Sequence, residues 1–189
     1  MNEYKDAFLD KYNPTRTQAK AVSRGIAASL QHNSLYRRGL ALETKEAVKS
    51  EWRSYLNGLV DRYKKEQRVE DYERDIEKLK QIMNDKFSAA FFSKPHERFN
   101  TDPGFRISHA QKSISVFLKH LWCMGDIACP PQCPVDAMIL KKAGKRYPDT
   151  KWGYVNSIDE HRLKVSFLEA AKNESTESLA EWELKKFAS

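Results

Sequence analysis

The chain has 189 residues and a formal net charge of +7, and this length suits one domain with its own hydrophobic core. Its 40% apolar and 31% charged residues exclude general disorder, while the absence of any apolar run near ~20 residues excludes a membrane span. Because the first residues show no secretory signal and three cysteines cannot pair completely, we expect a cytoplasmic protein without a membrane partner. The sequence does not determine the oligomeric state, and a monomer is favoured.

The hydrophobic pattern predicts helix after helix, and hence an all-α fold, a compact bundle of about eight helices. Apolar residues at i, i+4 spacing over residues 4–12 predict a first helix, which Asn13-Pro14 ends. Either Asn13 or Thr15 is expected to cap a second helix that runs to about Leu30.

A long helical pattern over residues 44–92 follows, with a break expected near Gln67. The segment 93–104 contains two prolines, Asn-Thr-Asp and a glycine, which are typical of a loop. We expect this loop to connect an N-terminal helical region, 1–92, to a C-terminal one, 105–189. The two regions would form one compact unit or two helical lobes with a cleft between them.

The C-terminal region continues the helical pattern. An apolar helix is expected to end near Met124-Gly125, and a short helix follows Pro134. Capping boxes at Ser157 and Ser178, each with Glu three residues later, predict the starts of two terminal helices. No stretch alternates with period two, so no strand is predicted.

The positive charge permits nucleic-acid binding without establishing it. Arg16, Lys20 and Arg24 are spaced i, i+4, i+8 and predict a basic stripe along the second helix, with no acidic residue between Asp10 and Glu43. The stripe is either a solvated helix face or a surface that binds phosphates, and the pattern favours neither.

The segment from His109 to Leu140 places Lys112 at the start of an apolar helix and Asp136 at the start of the helix after Pro134. An Asp at a helix start lies where backbone N–H groups converge, which favours its ionised form. Most such residues only cap their helix.

The same residues resemble the helix-hairpin-helix DNA glycosylases. Lys112 with the apolar run after it matches one part of the family's signature, and Cys133-Pro134-Val135-Asp136 matches the other. The resemblance covers about thirty residues, the hairpin glycines expected before Lys112 are absent, and the interval from Lys112 to Asp136 is longer than usual.

The resemblance implies an enzyme that binds DNA and removes a damaged base, or a modified base such as those of bacteriophage DNA, which would be a defence function. Asp136 would be the catalytic carboxylate, and Lys112 either a nucleophile at the sugar C1′ or a phosphate contact. Phosphate contacts would come from the stripe and from four basic residues after Asp136, namely Lys141, Lys142, Lys145 and Arg146. The base pocket or wedge would be formed by Phe105, His109, Trp122, Trp152 and Tyr154.

Three alternatives stay open. His120, Cys123, Cys129 and Cys133 have the spacing H-x2-C-x5-C-x3-C and form a candidate zinc set, although buried free cysteine is the commoner state, so we expect no cofactor. The chain is otherwise a non-enzymatic helical nucleic-acid-binding module, or a helical interaction or inhibitor protein.

Overall fold

The computed structural model describes residues 3–92, 104–173 and 176–188. Within them the all-α prediction is confirmed, since a single β-bridge between Tyr36 and Phe91 is the only strand-like pairing. The helices are α1 (Glu3–Tyr12), α2 (Gln18–Leu30), α3 (Leu42–Gly58), α4 (Val60–Tyr63), α5 (Val69–Phe87), α6 (Ile107–Met124), α7 (Ala137–Lys142), α8 (Ile158–Lys172) and α9 (Leu179–Ala188), with a 3-10 turn at Ser88–Ala90.

Helix α6 is the centre of the fold. From Ile107 to Cys123 every residue except Val116 is buried, because α1, α2, α5 and α8 all pack against it. A helix surrounded in this way is usually apolar, yet α6 carries serine, histidine, glutamine and lysine side chains. Buried polar groups need partners, so the fold brings polar chemistry into its interior along this helix.

Helix α2 makes the most extensive contact with α6. Three of its buried residues are small, Ala21, Gly25 and Ser29, and they are spaced about one turn apart. A Cβ at Gly25 would lie 2.6 Å from the carbonyl oxygen of Ser113 on α6. The two backbones are therefore as close as glycine permits, and this contact sets the separation of the two helices.

The start of α2 differs from the prediction. The helix begins at Gln18 with Thr17 as its N-cap, because the Asn13 side chain pairs with the backbone N–H and C=O of Thr17 and closes a turn before it. Arg16 lies in this turn at φ +48° and donates to Asp6 and Asp10 at 3.0 Å each. The predicted helical stripe through Arg16 is therefore wrong.

The pattern predicted over 44–92 forms three helices, because a second break at Leu59 separates α3 from α4, and α5 ends at Phe87. Helix α6 begins at Ile107, so Lys112 lies in its second turn and not at its start.

Several other boundaries agree with the structure. Residues 64–68 separate α4 from α5, α6 ends before Gly125 at φ +87°, and Ser157 and Ser178 cap α8 and α9. The predicted loop at 93–104 lies outside the described residues except for Gly104.

The N-terminal and C-terminal regions share one hydrophobic core. It extends from Phe8 in α1 to Leu184 in α9 and includes the apolar side chains of α6. A second, smaller cluster joins α7, α8 and α9 around Leu140, Leu168 and Trp182. None of the helices in the described part of the chain has the length and apolar character needed to cross a bilayer.

Candidate functional site

A cavity of about 600 Å³ opens between α1, α2, α6, α7 and α9, within the ~300–1,000 Å³ range of small-molecule sites. Lys112 and Asp136, which the sequence predicts as catalytic residues, both line it. The other lining residues are mostly aromatic or charged: Phe8, Tyr12, Arg24, Ala28, Gln31, His32, Val116, Lys119, His120, Pro134, Ala137, Met138, Trp152, Glu183 and Phe187.

Lys112 and Asp136 form an ion pair in the wall of this cavity. The Lys112 ammonium donates to Asp136 Oδ2 at 2.5 Å, and the two side chains are 9% and 19% exposed. Asp136 is also the N-cap of α7, where its Oδ1 accepts the Ile139 N–H at 2.9 Å. Burial opposes ionisation of Asp136, but the charge and hydrogen bond of Lys112, with the N–H groups of Ile139 and Met138, outweigh it and lower the carboxyl pKa.

Gln111 holds the segment that carries Asp136. Its side-chain amide donates to the Val135 carbonyl at 2.8 Å, and its oxygen accepts the Val135 N–H at 3.3 Å. Two adjacent residues of α6 therefore hold two adjacent residues before α7. Gln111 binds the backbone of Val135, and Lys112 binds the carboxylate of Asp136. Nothing in the sequence distinguishes Gln111 from an ordinary surface glutamine, so sequence reasoning missed it.

Trp152 lies beside the ion pair, with the Lys112 ammonium 5.9 Å from the centre of its ring. Its neighbour Gly153 is anchored to α6, since the Gly153 carbonyl accepts from Arg106 Nε at 3.0 Å and from the Ser108 hydroxyl at 2.9 Å. Tyr154 is half-buried but does not line the cavity. Of the two predicted base-contact residues Trp152 and Tyr154, therefore, only Trp152 borders the cavity.

The other predicted base-pocket residues pack in the core. Phe105 is buried edge-on against Trp52, and Trp122 is buried beneath the Lys5 ammonium, 3.9 Å from its ring centre. The His109 ring nitrogens face the N–H of Arg106 at 3.1 Å and the carbonyl of Asn33 at 3.2 Å. Burial, with the nearby charge of Arg106, lowers the pKa of His109 to about 3. None of the three lines the cavity, so they hold the fold around it.

A second ion pair faces the same cavity. The Lys119 ammonium donates to Glu183 Oε2 on α9 at 2.7 Å, and the two side chains are only 6% and 3% exposed. Next to it, His120 is buried and lines the cavity, and its Nδ1 has no hydrogen-bond partner among the described residues. Burial, then the charges of Arg24 and Lys119, lower the pKa of His120 to about 3, so its ring is neutral. Sequence reasoning missed Lys119 and Glu183, because they are 64 residues apart.

The predicted phosphate-binding residues lie in two places. Arg24 lines the cavity, with its guanidinium 5.2 Å from the centre of the Tyr12 ring, and Lys20 is exposed one turn earlier on α2. The basic residues of 141–146 lie in the last turn of α7 and just after it, at the opposite end from Asp136. Within this second group Lys145 is half-buried, with its ammonium over the ring of Phe167, whereas Lys141, Lys142 and Arg146 are exposed.

The zinc alternative is not supported. In the described part of the chain, no three His, Cys, Asp or Glu residues are placed to hold a metal ion. Burial raises the pKa of the Cys123 thiol to about 12 and that of Cys133 well above its ordinary value. Cys129 instead contacts the Ser178 hydroxyl at 3.3 Å.

The chemistry of the cavity is the basis for assigning a function to this chain. Its two ion pairs, its aromatic walls and the Arg24 guanidinium that lines it are the features that a function has to explain. No family model, no curated protein and no solved structure matches the sequence or the fold.

Proposed function

We propose that this protein is a DNA glycosylase that hydrolyses the N-glycosidic bond of a damaged or modified base turned out of the DNA into the cavity. The observation that carries the proposal is the ion pair of Lys112 and Asp136 in the wall of a cavity that also holds Trp152. The local resemblance to helix-hairpin-helix glycosylases assigns the same two residues, and in this fold they lie in contact with each other.

Asp136 is suited to the central step of the reaction. When the bond between C1′ and the base nitrogen breaks, positive charge develops on the sugar, and a nearby carboxylate stabilises it. The oxygen of a water molecule then bonds to C1′, and one proton of that water is transferred to the departing base. Because the pKa of Asp136 is lowered, the carboxylate is fully ionised at neutral pH and available for this role.

Lys112 is suited to act at the same carbon. Its ammonium keeps Asp136 in place in the free protein. Once its proton has passed to the departing base, the amine can bond to C1′ and form an iminium as the sugar ring opens, which water later hydrolyses. Borohydride reduces such an iminium to a stable amine, so covalent trapping on DNA distinguishes the nucleophile from a residue that only orients Asp136.

The surroundings of the pair fit a flipped nucleotide. Trp152 offers an aromatic face for stacking at the pair, and Lys20 and Arg24 supply positive charge on the α2 side of the cavity. Exposed basic residues at 141–146 supply a second contact with the phosphate backbone of the DNA. Binding through these groups should weaken steeply as salt is raised.

The decisive experiment compares wild-type protein with Asp136→Asn, measuring the bases released from DNA by mass spectrometry. The substrates are oligonucleotides with single damaged bases and DNA from bacteriophages with modified bases. We expect base release to fall at least ~100-fold in Asp136→Asn, while salt-sensitive DNA binding persists. Asp126→Asn is the matched control, because Asp126 is exposed and lies outside the cavity.

The alternatives predict different outcomes. DNA binding without base release from any substrate would indicate a non-enzymatic binding module and contradict the proposal. Absence of salt-sensitive DNA binding would indicate a protein-interaction or inhibitor role instead.

A further inference from the structure

The cavity extends well beyond the Lys112–Asp136 pair. Lys119 is two helical turns from Lys112 on α6, and at 1.5 Å per residue this is about 10 Å. A purine extends only roughly 5 Å from its glycosidic nitrogen to its far edge, as bond lengths of ~1.3–1.5 Å dictate. A base whose sugar lies at Asp136 therefore leaves the region around Lys119 unfilled.

That region, which we call the far end of the cavity, is built from polar groups within aromatic walls. The rings of Phe8, Tyr12 and Phe187 pack against one another with centroids 5.3 to 6.0 Å apart. The Lys119 ammonium lies 4.6 Å from the Phe8 ring centre and 4.2 Å from that of Phe187. The polar groups that line this region are Lys119, Glu183 and His120, with the Arg24 guanidinium beside them over the Tyr12 ring.

The far end has the features of a binding site that a ligand completes. His120 is only 1% exposed, and its Nδ1 has no partner among the described residues. Solvent does not reach this nitrogen in the free protein, so it gains a hydrogen bond only if the ligand moves into contact with it. The paired charges of Lys119 and Glu183 place a strong donor and a strong acceptor in the same cavity wall.

We propose, building on the glycosylase function above, that the substrate is a base carrying a polyhydroxy substituent, such as a glycosyl group, and that the far end binds this substituent. A hydroxyl both donates and accepts, so one hydroxylated group satisfies the carboxylate of Glu183, the ammonium of Lys119 and the nitrogen of His120 together. The aromatic walls pack against its C–H surface.

Other substituents fit the far end less well. An apolar substituent would leave the His120 nitrogen unpartnered and would desolvate the ion pair further. An anionic substituent would be attracted by Lys119 and Arg24, but it has no donor for the carboxylate of Glu183, which is as buried as Lys119. A base altered by a single atom would not reach the far end.

The test uses three duplexes of one sequence, with cytosine, 5-hydroxymethylcytosine or glucosylated 5-hydroxymethylcytosine at one position. Wild-type protein should bind the glucosylated duplex at least 10-fold more tightly than the hydroxymethyl duplex, and kcat/KM for base release should show the same preference. Equal or weaker binding of the glucosylated duplex would overturn the proposal.

Two variants locate the preference. His120→Phe keeps a ring of similar shape but removes both nitrogens, and we expect the ratio of the affinities for the glucosylated and hydroxymethyl duplexes to fall to about 1. His120→Gln keeps a polar group and should restore part of the preference. A preference unchanged in a folded His120→Phe protein would show that the far end does not bind the substituent.

The outcomes also separate this proposal from the one it builds on. If small damaged bases are released in an Asp136-dependent manner without any preference for glucosylated DNA, the glycosylase function stands and the far-end proposal falls. If glucosylated DNA is preferred in binding but no base is released, the recognition site stands and the glycosylase function falls.

Discussion

The contact between α2 and α6 predicts that Gly25→Ala destabilises the protein, against the usual helix propensities. Alanine is favoured over glycine in a helix by about 1 kcal/mol. The added methyl group, however, would lie 2.6 Å from the carbonyl oxygen of Ser113 and 3.3 Å from the Cβ of Phe117. Both obstacles belong to the central helix, and neither is the flexible end of a side chain.

The two contributions can be weighed. Overpacking in a well-packed core costs typically ~1–3 kcal/mol, and a clash with backbone lies at the upper end of that range. After the gain in propensity, we expect a net loss of about 1–2 kcal/mol. For a chain of this size, that loss lowers Tm by roughly 2–8 °C. To relieve the clash, α2 would have to move away from α6. That shift would carry along Arg24 and Ala28, which line the cavity.

Gly58→Ala provides the matched control. Gly58 ends α3, and a Cβ there meets no atom within 4 Å, so the substitution should raise stability by about 0.4–1 kcal/mol. Thermal and urea unfolding followed by circular dichroism measure both variants. A Gly25→Ala protein as stable as wild type, with Gly58→Ala behaving as expected, would refute the close approach of α2 and α6.

Three further predictions concern buried charges and thiols. Lys119→Met should destabilise the protein by about 3–5 kcal/mol, because it leaves Glu183 buried without its partner, and adding Glu183→Leu should recover most of that loss in urea unfolding. Because the pKa of Asp136 is lowered on folding, its contribution to stability is complete above the unfolded-state pKa of about 3.9 and is lost as the pH falls through the lower folded-state pKa. Unfolding curves of wild type and Asp136→Asn should therefore differ by a constant amount from pH 7 to 5 and approach each other only below about pH 4. In alkylation at pH 8 followed by mass spectrometry, Cys129 should react first, whereas buried Cys133 should react only after unfolding.

The elements that the sequence predicts correctly are those that depend on local interactions. Asn13-Pro14 ends α1 because proline lacks an N–H and fixes φ, and the capping boxes at Ser157 and Ser178 close within three residues. The break near Gln67 follows in the same way from a change in the apolar pattern. Such signals involve neighbours along the chain, so the all-α class and most helix ends can be predicted without tertiary contacts.

The position of Arg16 shows where local reasoning fails. Its spacing from Lys20 is that of a helix face, but the side chain of Asn13 closes a turn there, and Asp6 and Asp10 on α1 hold the guanidinium. These carboxylates lie on another helix, and only the packing of α1 against the start of α2 makes them available.

The sequence by itself determined a helical fold and singled out Lys112 and Asp136, although only Asp136 lies at a helix start and Lys112 lies in the second turn of α6. Only the tertiary structure decided that these residues lie in contact in one cavity, that Trp152 borders it, and that Phe105 and Trp122 do not. The physical reason is the burial of α6 on almost every side. Because almost every face of such a helix is buried, its apolar pattern does not tell which polar side chains face a cavity and which face another helix.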